Sequence, residues 1–156
     1  MKKLILTILF TTFTICNAQD WEIKASYGQL FLFPRVEACV AGEVAYNVTN
    51  RFAFAVDCEL FSNRESNVTA MLKTYVVNNL TLCTGFGWGH QFTSAVLDHN
   101  YHTYSIGIEN YVNIPSSRLA VSFTPMCEWR TYAEHIGFRR EFFRLSTQFG
   151  VTYKFK

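Results

Sequence analysis

The sequence predicts an all-β protein, an eight-stranded antiparallel up-and-down transmembrane β-barrel. Eight extended segments each alternate apolar with polar residues, and their apolar positions carry no Asp, Glu, Lys or Arg. Charged residues make up only 17% of the chain and aromatic residues also reach 17%, whereas soluble domains contain roughly 25% charged residues. Because side chains alternate between the faces of a strand, each strand has one apolar and one polar face, as membrane barrels require.

Residues 1–18 are predicted to be a secretory signal peptide. Lys2 and Lys3 precede an apolar stretch that runs from Leu4 to about Cys16, and the expected cleavage follows Ala18. That stretch is shorter than the roughly 18 residues of a membrane helix, so any insertion must use strands. Cleavage would remove two of the 14 Lys and Arg residues, so the mature chain would contain 12 basic residues and 12 acidic ones (Asp and Glu). A mature chain without net charge does not favour nucleic-acid binding.

The first four strands are predicted at residues 21–31, 36–48, 51–61 and 67–77. Their apolar phase contains, in chain order, Trp21 and Tyr27; Val40, Val44 and Tyr46; Phe52, Phe54 and Val56; and Leu72. Their polar phase contains Glu22 and Lys24; Glu37, Ala41, Glu43 and Ala45; Ala53, Ala55, Asp57 and Glu59; and Lys73. Each segment is long enough for a tilted strand that crosses a membrane.

The last four strands are predicted at residues 79–91, 101–113, 117–131 and 142–155. Their apolar phase contains Leu82, Phe86 and Trp88; Tyr104, Ile106 and Ile108; Val121, Phe123 and Trp129; and Phe143, Leu145 and Phe149. Their polar phase contains Gly85, Gly87 and Gly89; Gly107 and Glu109; Ala120, Ser122, Glu128 and Arg130; and Arg144 and Lys154. Pro125 falls in the apolar phase, where its missing N–H predicts a bulge or a local break.

The connections alternate in length. Strands two, four and six are followed by turn-forming residues at Thr49-Asn50, near Asn78-Asn79 and at Pro115-Ser116. Longer polar connections follow strands three, five and seven, at residues 62–66, 92–100 and 132–141, and a short one lies around residues 33–35. This alternation is typical of a barrel with one end in the periplasm and the other outside the cell.

Side-chain size indicates which face lies inside. A soluble lipocalin-like barrel also has eight strands, with its apolar face inward. The aromatic residues of the apolar phase would overfill so narrow an interior, whereas the small residues of the polar phase fit it. The aromatic residues also form two predicted membrane-interface girdles. The periplasmic girdle contains Trp21, Tyr46, Phe52, Tyr153 and Phe155, and the outer girdle contains Tyr27, Trp88, Tyr104, Trp129 and Phe143.

Four cysteines remain after the signal peptide, and we predict that all four are free thiols. Cys39 and Cys83 fall in the polar phase, and Cys58 and Cys127 fall in the apolar phase. Pairs on opposite faces cannot form a disulfide, and pairs on the same face belong to strands that are not neighbours.

The pattern resembles the small eight-stranded bacterial outer-membrane barrels of the OmpA and OmpX type along the whole of residues 19–156. The ending Phe149-Gly150-Val151-Thr152-Tyr153-Lys154-Phe155 is similar to the C-terminal strand signal of these proteins, although here Lys156 follows the aromatic residue. The resemblance implies a Gram-negative outer-membrane location, monomers, contact with lipopolysaccharide, and recognition by the outer-membrane assembly machinery through the last strand. It does not imply peptidoglycan anchoring, because no periplasmic domain follows the barrel.

The polar phase predicts a charge network in the lumen. It contains seven acids and seven bases: Glu22, Glu37, Glu43, Asp57, Glu59, Glu109 and Glu128, with Lys24, Arg51, Lys73, Arg118, Arg130, Arg144 and Lys154. Equal numbers in a confined space predict ion pairs, because an unpaired buried charge is costly. We interpret the network as a rigid plug, and a narrow pore for ions or a small solute is the alternative.

No catalytic site, cofactor or metal site is predicted. The four histidines, His90, His99, His102 and His135, include no His-x-Ser pair of the kind that lipid A deacylase barrels use. Ser105 faces inward while His102 faces outward, and no serine precedes His90 on its own face of the strand. His90, Asp98, His99 and His102 were considered as metal ligands, but their spacing along the chain is more typical of a polar loop than of a metal site.

We therefore expect a non-enzymatic outer-membrane scaffold that presents extracellular loops, with adhesion as a possible role. The alternatives are a lipid A-modifying enzyme, a narrow pore and a soluble lipocalin-like binding protein. The loop residues that are candidates for contact with lipopolysaccharide or a surface ligand are Arg64, Glu65, Tyr132, Glu134, His135, Arg139 and Arg140.

Overall fold

The computed structural model describes residues 21–32, 35–62, 65–77, 79–92, 98–132 and 141–155. All eight predicted strands are confirmed, and β4 and β6 begin earlier than expected. The strands are β1 (Trp21–Leu32), β2 (Arg35–Asn47), β3 (Phe52–Phe61), β4 (Glu65–Val77), β5 (Leu80–Phe92), β6 (Asp98–Asn113), β7 (Leu119–Tyr132) and β8 (Glu141–Lys154). Within these ranges no helix is long and apolar enough to cross a membrane.

The strands form a closed antiparallel barrel in which each strand pairs with its neighbours in sequence. β1 also pairs with β8, from Glu22 opposite Lys154 to Phe31 opposite Leu145. Closure leaves no strand edge with unpaired backbone groups, and a sheet is stable in the hydrocarbon region of a membrane only under that condition. The predicted up-and-down barrel is therefore confirmed.

One end of the barrel, the turn end, carries the connections 48–51 and 114–118, the end of β4 and the start of β5, together with Trp21 and Phe155. Thr49 Oγ1 accepts hydrogen bonds from the backbone N–H groups of Arg51 and Phe52, both at 3.1 Å. Ser116 has a positive φ of 58°, and Ser117 Oγ accepts a bond of 3.1 Å from the N–H of Leu119. The turns predicted from Thr49 and Ser116 are thus confirmed.

At the opposite end, the loop end, β1, β3, β5 and β7 end and β2, β4, β6 and β8 begin. The predicted alternation of short and long connections is confirmed only in part, because three residues separate β3 from β4, fewer than the four between β2 and β3. The loop candidates Arg64, Glu134, His135, Arg139 and Arg140 lie outside the described residues, as does the side chain of Tyr132. The predicted signal peptide, residues 1–18, also lies outside them.

Pro125 interrupts the β6–β7 ladder, as predicted. Pairing runs from Tyr101 opposite Tyr132 to Gly107 opposite Met126 and resumes at Asn110 opposite Phe123. The register is the same on both sides, so the proline causes a break and not a bulge, since it lacks the N–H that the ladder needs. A register shift does occur between β4 and β5, at Tyr75 to Val77.

The apolar phase faces outward and the polar phase faces inward. Along β3 exposed and buried residues alternate without a break from Phe52 to Phe61. Phe54 is 61% exposed, whereas Glu59 is 3% exposed. The interior contains small residues such as Ala45 and Ala53, which are fully buried. The soluble lipocalin-like alternative is therefore wrong, because it requires the opposite arrangement.

The cysteines follow the same alternation. Cys39 and Cys83 are buried, Cys58 is exposed, Cys127 is half-buried, and all four are free thiols.

Candidate functional site

The interior near the turn end holds a closed ring of four ion pairs, here called the lysine ring: Lys24, Glu43, Lys73 and Glu109. Lys24 Nζ lies 3.0 Å from Glu43 Oε2 and 2.9 Å from Glu109 Oε1. Lys73 Nζ pairs with the same two carboxylates, at 2.8 Å from Glu109 Oε2 and in a short contact with Glu43. Each charge thus has two partners of opposite sign, and the ring is neutral.

The sequence places these residues on inward positions of β1, β2, β4 and β6, and a glycine makes room for one of them. A Cβ atom at Gly150 would lie 3.1 Å from both Cγ and Cδ of Lys24. The missing side chain lets the lysine stem cross the interior towards its carboxylates. All four side chains are at most 6% exposed, so their charges are held by each other and not by water.

A second closed ring, the arginine ring, lies nearer the loop end and consists of Glu65, Glu128, Arg130 and Arg144. Arg144 lies 3.2 Å from Glu65 and 3.1 Å from Glu128. Arg130 lies 3.5 Å from Glu128 and makes a short contact with Glu65. Ser146 Oγ adds a hydrogen bond of 3.0 Å to Glu128. Two carboxylates again alternate with two cations.

Aromatic rings pack against the two arginines. The Arg130 guanidinium lies 4.2 Å from the centre of the Tyr101 ring, and Arg144 lies 5.1 Å from the centre of the Phe61 ring. Such cation–π contacts favour a charged group that water does not reach. Tyr101 also donates a hydrogen bond of 2.7 Å to Glu65.

Glu65 corrects the sequence analysis, which assigned it to an outer loop. It begins β4, is 3% exposed, and accepts bonds from Tyr101 and Arg144. The boundary of β4 was placed two residues late because Ser66 and Asn67 have the composition of a loop.

Two further carboxyl groups, those of Asp57 and Glu59, lie inward on β3. Asn67 Nδ2 and Gln148 Nε2 donate hydrogen bonds of 2.9 and 2.8 Å to the oxygens of Glu59. Asp57 is 3% exposed, and among the described residues no cation lies within salt-bridge distance of it. The described ranges contain no group of three His, Cys, Asp or Glu residues that could hold a metal.

Not all fourteen predicted lumen residues enter these clusters. Glu22 and Lys154 form a looser pair of 3.9 Å at the mouth of the turn end, and Glu37 is half-buried on β2. Arg51 and Arg118 differ from the prediction, since both are exposed in turns. The strand alternation that placed them inside no longer applies where the chain leaves the sheet.

The ten predicted girdle residues all lie on the outward face. Neighbouring rings touch at the turn end, where the centroids of Trp21 and Tyr46 and those of Tyr153 and Phe155 are 5.0 Å apart. At the loop end the centroids of Trp129 and Phe143 are 5.1 Å apart. The other members are exposed on the outer surface: Tyr27, Phe52, Trp88 and Tyr104.

The barrel is similar in fold to the N-terminal β-barrel domain of Pseudomonas aeruginosa OprF. The match has a TM-score of 0.58 and 13% sequence identity, and it covers 88% of this chain and 98% of that one. A de novo designed transmembrane β-barrel matches with a TM-score of 0.49 and 12% identity, over 89% of this chain and 98% of that one.

No family model and no curated protein matches the chain. The fold is that of the small eight-stranded outer-membrane barrels, as the sequence pattern predicted. An identity of 13% to the OprF barrel domain establishes fold alone, and function has to be argued from the site.

Proposed function

We propose that this chain is an integral outer-membrane barrel that acts as a rigid scaffold and presents its loop-end connections at the cell surface. The observation that supports it is the inverted distribution of residues, with large apolar side chains outside and ion-pair rings inside. A surface of this kind is stable against lipid hydrocarbon, and its closed backbone leaves no polar edge there.

The two ends of the barrel support an orientation. The longest connection, eight residues between Tyr132 and Glu141, belongs to the loop end, and the longer loops of known outer-membrane barrels lie on the extracellular side. The partners we propose are outer-membrane lipid and lipopolysaccharide around the barrel, and the assembly machinery at β8. A ligand on another cell is the candidate partner of the loop end.

Fractionation tests the membrane location. We expect the protein in the outer-membrane fraction, released only by detergent, and as a band whose migration in unboiled gels differs from that of the boiled protein. An apolar exterior needs a lipid or detergent layer, and a barrel that stays folded in detergent until it is boiled migrates differently from the unfolded chain. Recovery as a periplasmic monomer without detergent would show that the exterior does not face lipid.

Conductance tests the plug against the narrow-pore alternative. In a planar bilayer the purified barrel should show no steady conductance, because the lysine and arginine rings are buried and each of their charges has two partners. Large, stable and ion-selective steps would contradict the plug and support the pore.

A further inference from the structure

The buried part of the lumen contains more acids than bases. Among the described residues, six acids and four bases are at most 4% exposed, whereas the sequence predicted equal numbers inside. They are the members of the two rings together with Asp57 and Glu59. The lysine ring and the arginine ring use all four cations and four of the acids. The carboxyl groups of Asp57 and Glu59 therefore have no cation as a partner.

Glu59 is held by neutral donors. Asn67 Nδ2 donates a hydrogen bond of 2.9 Å to one of its oxygens, and Gln148 Nε2 donates one of 2.8 Å to the other. Asn67 Nδ2 also donates to Thr69 Oγ1 at 3.1 Å, which fixes the amide group. Because hydrogen bonds donated to a carboxylate stabilise its charge, Glu59 is accommodated inside the barrel without a cation.

Asp57 has neither a cation nor a hydrogen-bond donor among the described residues. Its Oδ1 atom is buried and makes no hydrogen bond. The residues directly opposite it are Glu43 on β2, another acid, and Thr69 on β4. Glu59 follows on the same face of β3, roughly 7 Å further along the strand. An ionised Asp57 would therefore be a third negative charge beside two carboxylates.

The cations that act on Asp57 are already paired with other acids. They are Lys24 and Lys73, and each pairs with both Glu43 and Glu109 in the lysine ring. A move of either ammonium group to Asp57 would remove a partner from one of these two carboxylates. Rearrangement of the lysine ring therefore transfers the missing charge and does not supply it.

The other titratable groups around Asp57 and Glu59 do not supply it either. They are Cys39 on β2, Cys83 on β5 and Arg144 on β8. Arg144 is held by the two carboxylates of the arginine ring, and the two thiols have no positive form. The compensating positive charge must therefore come from solution.

We propose that Asp57 is a proton-binding site of the folded barrel, where the carboxyl group holds a proton at neutral pH. A buried carboxyl group without a partner is neutralised by a proton, because its charged form is far more costly there. A metal ion does not fit, since the described ranges hold no group of three His, Cys, Asp or Glu residues that could bind one. In the unfolded chain water solvates Asp57, which is ionised above about pH 5. Folding therefore takes up one proton.

The barrel should accordingly be more stable in acid than in alkali. The contribution of this proton to stability is complete below the pH at which an unfolded aspartate ionises, and it decreases as the pH rises until the folded site releases the proton. One proton bound only by the folded chain raises the unfolding equilibrium constant about tenfold per pH unit. The site lies inside the barrel, so the inference does not depend on the membrane location proposed above.

The test is urea unfolding of the full chain in phospholipid vesicles, repeated at about pH 6, 7 and 8. We expect the unfolding constant of the wild type to rise with pH. Asp57→Asn, whose amide binds no proton in this range, should lose up to about a factor of ten from that rise per pH unit. An equal pH dependence in the wild type and in Asp57→Asn would overturn the proposal.

The matched control is Glu22→Gln, which removes a partly exposed acid at the mouth of the turn end. It should keep the pH dependence of the wild type. The same loss of pH dependence in Glu22→Gln as in Asp57→Asn would also overturn the proposal, because the effect would then be one of net charge.

Infrared spectroscopy observes the proton directly. Asp57 is the only aspartate among the buried residues of the described chain. In protein made with isotope-labelled aspartate, the carbonyl stretch of a protonated acid should appear at neutral pH in the wild type and be absent in Asp57→Asn. If Asp57→Asn does not fold, the band in the wild type supports the proposal and its absence overturns it. Recovery of the protein without detergent would overturn the membrane location and leave the proton site standing.

Discussion

Arg130→Met is expected to lower the free energy of unfolding by about 3–5 kcal/mol. Arg130 is fully buried and contacts both carboxylates of the arginine ring. Its removal leaves two acids that share the single cation Arg144, and water does not reach them to compensate. The measurement is reversible urea unfolding in phospholipid vesicles, with the slope of the transition checked for two-state behaviour.

Two variants control this experiment. Lys154→Met removes the looser and partly exposed pair with Glu22, 3.9 Å apart, and should cost less than about 1 kcal/mol. The double variant Glu65→Gln with Arg130→Met leaves one acid and one base in the ring, so it should recover part of the stability lost in Arg130→Met. A double variant less stable than Arg130→Met would show that the ring does not act through charge balance.

Ile106→Arg is expected to cost about 2–4 kcal/mol in a bilayer, the usual cost of a cation at mid-membrane on the lipid face of a barrel. Ile106 faces outward, 44% exposed, and lies opposite Thr84 and Cys127 in the middle of β5, β6 and β7. The same unfolding measurement reports this cost.

Val121→Arg is the matched control for depth. Val121 also faces outward, but it lies near the start of β7, opposite Val112 and Val151, where the cost should fall to about 0–1 kcal/mol. Equal destabilisation of the two arginine variants would show that the cost does not depend on depth in the membrane. Equal stability of both variants and the wild type would argue against a lipid-facing surface altogether.

Within the strands, alternation in the sequence predicted which face a residue occupies but not which residues of the neighbouring strands lie beside it. The strands, the turn at Thr49 and the break at Pro125 depend on local chemistry, so all were predictable. The partners of Lys24 and of Arg144 depend on the register between strands, which no single strand encodes. A buried Lys24 was expected; its ring with Glu43 and Glu109 was not.

Strand ends show a second limit. Glu65 was assigned to a loop because the end of a strand has the composition of a turn. Arg51 and Arg118 were placed inside the barrel because the alternation was extended into residues that the structure places in exposed turns. Sequence reasoning is therefore least reliable where the chain enters or leaves the sheet.

The pairing of β1 with β8 has a consequence for the order of assembly. Glu22 on β1 lies opposite Lys154 on β8. Because β8 is synthesised last, the sheet cannot close until the whole barrel segment has been made. Until then two strand edges remain unpaired, and hydrocarbon gives their backbone groups no partner. Stepwise insertion of single strands is therefore unfavourable, and the chain should enter the membrane in one cooperative event. Folding should be slow, because contacts so distant in sequence form late.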